Sequence, residues 1–401
     1  MPPSKPIYFG ANKEKRKFGK IEITNGFDCN DGNKFVMPCN TRRTRRRIRS
    51  SYIPDEVVFE ILRRLRADIL HNVMRYVCRA WHNIICSPTF RFSHLENSTP
   101  GFLLQRFGTQ QLVFFLKAGN HNDAPEVTPL DFEFSGYIAS SCNGLVLIVS
   151  HSHDNSFSYV VNPVLKQQMC LPELPPHRRL VGSCSLAYAT ASKVHKVTYN
   201  DWGGMLVLTL GVDKAWRIID TSQCALRDND IVARLSPIVL GGYVYWLNSI
   251  FQYIVSFDVE NETLKRIPLP RSQSFERRRL TLVALEGALC LIAWRERHYL
   301  FEVWLLMDRE IGEWTKFPDV SLLSSQARTS IEDVYAQPFK LVPIGWLRGR
   351  EFLVFRVSQN EPAIMVFDVK LGKVHSTVQE STGFIYFYHT PYLQSLVPLK
   401  C

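Results

Sequence analysis

The sequence predicts an α+β multidomain chain: a small helical N-terminal domain followed by an all-β propeller of about six blades. Three observations lead there. Helical periodicity is concentrated in residues 53–95. From residue 100 onward the texture changes to short β-rich runs separated by turn residues. Those runs then recur with a period of about 50 residues.

The helical segment opens at Ile53-Pro54-Asp55-Glu56. Proline suits the first turn of a helix, where its missing N–H costs nothing, and two acids suit the positive end of the dipole. Val57, Ile61, Leu62 and Leu65 then read as one stripe at helical spacing. A second periodic set follows at Leu70, Val73, Val77, Trp81 and Ile84, ended by Ser87-Pro88.

Downstream, candidate strands are Phe102–Leu104, Leu112–Leu116, Leu145–Val149, Tyr159–Asn162, Met205–Leu210, Tyr243–Leu247, Ile254–Asp258, Ala288–Ala293, Glu302–Met307, Phe352–Val357 and Ala363–Asp368. Four of them end on or immediately before a polar turn residue, at Asn162, Asp258, Asp308 and Asp368, with spacings of 96, 50 and 60. Trp216 and Trp314 lie 98 apart, again two units. Several strands per unit of about 50 residues indicate kelch-like blades. One small sheet cannot bury its own faces, so sheets stack radially and hide their edges. A β-sandwich is the alternative architecture.

Of 401 residues, 46% are hydrophobic and 21% charged, enough for a sizeable core and two domains. The formal charge of +11 is uneven: residues 1–50 hold 13 Lys and Arg against 4 Asp and Glu, a net of +9. A basic tail, expected to lack stable structure, therefore precedes a nearly neutral body. The ten cysteines include no C-x-x-C pair, and most sit in apolar runs such as Ala288-Leu289-Cys290-Leu291. Buried reduced thiols are expected rather than zinc or disulfides. The N-terminus has no apolar signal region, and runs such as Leu145–Val149 are too short to span a bilayer. This predicts an intracellular, soluble protein without a membrane partner.

No phosphate loop, dinucleotide glycine pattern, zincin motif or nucleophile elbow is present. His151-Ser152-His153-Asp154 has metal-like spacing but sits where a solvated hairpin loop explains it. Asp131 and Glu133 read as solvent-facing alternation on a strand. Arg277-Arg278-Arg279 reads as an exposed loop, with contact to an acidic partner as the alternative. Trp246, Trp304 and Trp314 are expected in blade cores. Neither an enzyme nor a cofactor is expected.

The ordered string Ile53-Pro54-Asp55-Glu56, Val77-Cys78-Arg79-Ala80-Trp81, Ser87-Pro88-Thr89-Phe90 and His94-Leu95 resembles an F-box. The Leu-Pro that usually closes the first helix of that module reads Leu65-Arg66 here. Ser141-Cys142-Asn143-Gly144-Leu145-Val146, Tyr159–Pro163, Gly242–Leu247, Ser256-Phe257-Asp258, Ile267–Pro270, Val303-Trp304 and Trp314-Thr315-Lys316 are similar, in order, to the F-box-associated domain of the large plant F-box family. Tyr392–Val397 resembles that family's terminal strand. The resulting division is a tail at 1–50, an F-box at 51–96 and the propeller at 100–398.

The resemblance implies a substrate-recognition adaptor in an SCF-type ubiquitin ligase. The F-box would bind a Skp-type adaptor and through it a cullin, and the propeller an unknown protein substrate at one rim. Ile53, Pro54, Ile61, Leu65, Val77 and Trp81 are the residues expected to face or support that adaptor. A non-ligase F-box scaffold and a nucleic-acid-associated protein using the tail are the alternatives. In the tail, Arg42, Arg43, Arg45, Arg46, Arg47 and Arg49 lie within nine residues and read as a nuclear-import patch. A solvated tail without a receptor competes with that reading. Aromatic residues are missing from residues 40–50, which counts against a single-strand platform and disfavours nucleic acid. Nucleus and/or cytoplasm is the expected location.

Overall fold

In the computed structural model of the protein, the described residues are 53–107, 112–119, 125–130, 134–151, 156–175, 183–201, 204–221, 236–248, 252–271, 280–295, 300–322, 340–358, 363–378 and 386–399. Residues 1–52, with the arginine run and the expected tail, lie outside them, as do Asp131, Glu133, residues 152–155 and Arg277–Arg279.

Among the described residues four helices come first: α1 (Asp55–Arg63), α2 (Ala67–Asn72), α3 (Arg79–Cys86) and α4 (Pro88–Asn97), with a 3₁₀ turn at Met74–Tyr76. Pro54 precedes α1 with an extended ψ of 146°, and Asp55 and Glu56 occupy its first turn. Ser87 caps α4 by accepting from the Phe90 N–H at 3.2 Å, with Pro88 in the first helical turn. The single periodic set expected over residues 70–84 is broken. Val73 (φ −128°, ψ −61°) and Cys78 (φ −159°, ψ 168°) leave helical geometry, so three short elements replace one helix.

Strands β1 to β24 form six four-stranded antiparallel sheets. Blades 2 to 6 use consecutive strands: β4–β7 (137–170), β8–β11 (183–219), β12–β15 (238–268), β16–β19 (280–321) and β20–β23 (340–378). Blade 1 is composite. Its innermost strand is the chain's last, β24 (Tyr386–Tyr392), paired with β1 (Gly101–Phe107) from Gly101↔Tyr392 to Phe107↔Tyr386, with β2 (Leu112–Lys117) and β3 (Glu126–Pro129) outside. Joining first and last strands closes the ring and leaves no open edge between blades. The expected terminal strand at 392–397 is corrected: pairing stops at Tyr392, and residues 393–399 continue without strand structure.

The recurring turn residues have a physical cause. Asn162, Asp258, Asp308 and Asp368 end the third strands of their blades. Each side-chain Oδ1 accepts a backbone N–H two or three residues on, at 2.6–3.2 Å. Four residues on, Lys166, Glu262, Gly312 and Gly372 take positive φ and turn the chain back into the outer strand. The tryptophan spacing is also explained. Trp216 Nε1 donates to the Pro172 carbonyl at 2.9 Å, and Trp314 Nε1 to the Pro268 carbonyl at 2.8 Å, each tying a blade to the one before it. Trp246 is fully buried in the core between blades 3 and 4, whereas Trp304 and Trp314 are half-buried against the core between blades 4 and 5.

The expectation of buried thiols holds for some of the described cysteines and not for others. Among the described cysteines only Cys290 is a buried residue, while Cys78 and Cys170 are exposed. Short apolar runs do not fix which face a cysteine takes. Burial of the thiols themselves pushes Cys142, Cys184 and Cys290 up to about 12.

Candidate functional site

The helices and the propeller share one compact unit that begins at Ile53. Val58 and Leu62, four apart on α1, face inward with Ala67, Leu70, Ile85 and Phe90. Phe59 meets Phe90 edge-on at 5.1 Å, and Phe90 stacks on His94. His94 Nε2 donates to the Leu65 carbonyl at 2.8 Å, tying down the end of α1 at Leu65-Arg66. Burial lowers the His94 pKa, so the ring is neutral.

Residues from outside the helices complete this core: Val164 and Leu165, in the Asn162 turn, and Leu396, in the final segment. Asn162 organises the joint. Its Oδ1 holds its own turn while its Nδ2 donates to the carbonyls of Ser395 at 3.2 Å and Val397 at 2.7 Å. Blades 4, 5 and 6 carry aspartate at the matching turn position, and only an amide can also donate. Ser98 Oγ donates to the Gln394 carbonyl at 3.1 Å, and the Leu399 N–H to Gln167 Oε1 at 3.0 Å. Gly144, at φ +79° in the Asn143-Gly144 hairpin, lets that segment pass: a Cβ there would stand 2.0 Å from Ser395 Cβ.

The outward side of the helices is apolar. Ile53, Val57 and Ile61, spaced four apart, are 53%, 47% and 49% exposed, and Pro54 beside them is exposed. Around the 3₁₀ turn, Val73, Tyr76 and Val77 are exposed as well. The single stripe expected on α1 is therefore two. Val58 and Leu62 face the core, and Val57 and Ile61 face solvent. Of the six residues singled out from sequence, Ile53, Pro54, Ile61 and Val77 lie on the outer side. Leu65 and Trp81 are half-buried against the helical core and support it from within. Val57, Val73 and Tyr76 were missed as outer residues. The four-residue spacing from Ile53 to Ile61 was the available signal for Val57, but sequence could not show which of two apolar stripes was covered.

Residues 102–386 match the family model described as the F-box associated beta propeller domain, and residues 50–93 match the F-box domain model. The chain belongs to the F-box associated β-propeller family. F-box protein DOR of Arabidopsis thaliana is 26% identical over 66% of this chain and 73% of its own length. F-box protein At5g65850, from the same plant, is 26% identical over 67% of this chain and 71% of its own. Among solved structures, a chain of a nidogen/laminin complex covers 74% of this chain and 99% of its own length at 12% identity, with a TM-score of 0.42. The four helices thus form the F-box, and the apolar outer side is its free surface.

Strand direction fixes what lies opposite. The F-box packs on the face that carries the turns after each third strand, since Val164 belongs to one of them. The connections between blades leave from the other face. The longest run from Ile219 to Ile238 and from Ser321 to Lys340. Among the described residues no helix is long and apolar enough to cross a membrane.

Proposed function

We propose that this protein is a substrate-recognition subunit of an SCF-type, cullin-RING ubiquitin ligase. Its F-box docks a Skp-type adaptor, and through it a cullin, while the propeller's far rim holds a protein substrate. The observation that carries this reading is the run of solvent-facing Ile53, Val57 and Ile61 on the F-box. A small soluble module gains nothing from such residues unless a partner covers them. The chain contributes no catalytic group. It raises the local concentration of substrate lysines near a charged ubiquitin carrier. A joint held by Asn162, Ser98 and Leu396 suits that task, because a fixed geometry preserves proximity.

Replacing Ile53 and Pro54 together with Ala tests the reading. Adaptor and cullin should no longer co-purify, while the melting temperature stays nearly unchanged. Retention of the complex by the double variant would remove Ile53 and Pro54 from the interface. A non-ligase scaffold would bind the adaptor equally but show no substrate accumulation on proteasome inhibition.

The arginine run is proposed as a nuclear-import signal. Replacing Arg45, Arg46 and Arg47 with Ala should move a fluorescent fusion from nucleus to cytoplasm without loss of adaptor binding. A nucleic-acid role would instead give a salt slope of about −5 for six phosphate contacts.

A further inference from the structure

Within the propeller axis lies a cavity of about 240 Å³, walled by innermost strands of blades 1, 2, 4, 5 and 6. Most of that wall is small or apolar, with Ser140, Ile238, Thr281 and Ile344 typical of it. Two side chains are out of keeping, Arg356 from β21 (Phe352–Ser358) and His389 from β24. Alternation along β21 explains where Arg356 goes. Leu353, Phe355 and Val357 face the core shared with blade 5, while Phe352 and Val354 face blade 1. Arg356 has the parity of the second set and so reaches toward blade 1, where His389 stands.

The guanidinium of Arg356 is half-buried and has no hydrogen bond or ion pair among the described residues. The buried Nδ1 of His389 likewise has no hydrogen-bond partner there. Burial lowers the pKa of Arg356, and burial together with the Arg356 charge pushes His389 down to about 3. Two of the nearby hydroxyls have partners among the described residues. Ser140 Oγ accepts from the Leu186 N–H at 3.1 Å, and Thr390 Oγ1 donates to Ser141 Oγ at 3.4 Å. A partly desolvated cation beside an unpartnered ring nitrogen costs stability, and an anion that pairs with both reverses that cost.

We propose that the axial channel is an oxyanion site, in which Arg356 pairs with a carboxylate or phosphate group and His389 Nδ1 donates to the same group. The guanidinium fork matches either oxyanion with two parallel hydrogen bonds. A free small anion and an acidic or phosphorylated side chain of a bound polypeptide present the same chemistry. The site stands whether or not the protein serves a ligase.

Thermal melting of the full chain tests this with inorganic phosphate and citrate as probes, against chloride at matched ionic strength. Either probe should raise the melting temperature saturably, and chloride should not. Arg356→Met should weaken that binding about tenfold or more. Its unliganded melting temperature should equal or exceed that of the unaltered protein, since an unpaired charge is gone. If Arg356→Met does not fold, His389→Phe keeps a ring but loses the donor and should weaken binding about threefold or more. N-acetylphosphoserine amide and N-acetylglutamate amide distinguish the sources. Tighter binding than free phosphate and citrate assigns the anion to a polypeptide, and weaker binding assigns it to a free small molecule; either result supports the site. No saturable shift in the unaltered protein, or an equal shift in Arg356→Met, overturns it.

Discussion

The F-box and the propeller treat apolar side chains in opposite ways. Among the described residues, thirteen large apolar side chains are exposed, and seven of them lie between Ile53 and Phe92. The other six are spread over four blades. A closed ring lets every blade cover its neighbour, so little apolar surface remains over. Four short helices cannot do this alone. They borrow Val164 and Leu396 on one side and leave Ile53, Val57, Ile61, Val73, Tyr76 and Val77 uncovered on the other. Scattered apolar residues need no explanation, whereas a regular set on one helix calls for a partner.

The largest test of this contrast is removal of residues 386–401. It strips β24 from blade 1 and Leu396 from the F-box core, so soluble, cooperatively melting protein should not be recovered. Recovery of such protein would mean that closure does not hold the propeller together. Next in size is Phe90→Ala. Phe90 is fully buried, and its loss should cost about 3–5 kcal/mol, read by denaturant unfolding. Adaptor binding would fall with it, through loss of the helices rather than of the surface.

Asn162→Asp sharpens the view of the joint. It keeps the turn but turns a carboxylate oxygen toward the Ser395 and Val397 carbonyls, at a cost of about 3 kcal/mol. Faster amide exchange in residues 393–399 would locate the damage. Asp258→Asn, where the second carboxylate oxygen accepts from Asn261 Nδ2 of its own turn at 3.0 Å and not from a distant segment, should cost less.

A smaller effect comes from pH. His94 is neutral in the folded protein and has its pKa lowered from 6.5. Its contribution is therefore complete above 6.5 and is lost as the pH falls below that value, because protonation then favours the unfolded chain. His71 and His389 are shifted the same way, so the informative quantity is the difference from His94→Gln. That variant should lose less stability between pH 7.5 and pH 5.5. Smallest in stability is Ile61→Asp, expected within about 0.5 kcal/mol of the unaltered protein because Ile61 is half in solvent. Adaptor capture should nonetheless fail, and normal capture would free this face of its proposed role.

Legibility varied with position inside each blade. All eleven strands expected from sequence are second or third strands, and the best-defined of them, such as Leu145–Val149 and Phe352–Val357, are covered on both faces and written as continuous apolar runs. The one such strand missed, β9 (Val194–Asp201), carries Lys196, Thr198 and Asn200, which are buried all the same. Lys196 can be buried because its Nζ reaches the Val259 carbonyl and Glu262 of the next blade, both at 2.8 Å. Outer strands such as Gln167–Cys170 face solvent and look like loops in sequence. Innermost strands such as Tyr137–Cys142 are disguised by the small residues a narrow channel demands.

By itself, the sequence determined the elements whose cause is local. The Ser87-Pro88 cap, the Asn143-Gly144 hairpin and the aspartate turns each need only a few neighbouring residues. It also determined the repeat, and with it the number of blades. Tertiary structure alone decided which apolar stripe of α1 is covered, since Val57 and Val58 are equally apolar and differ only in what packs on them. The same holds for Asn162, whose second partner lies 233 residues away, and for Arg356, whose isolation depends on what blade 1 places opposite it. Sequence carries short-range geometry directly, whereas burial and pairing between distant segments exist only once the ring has closed.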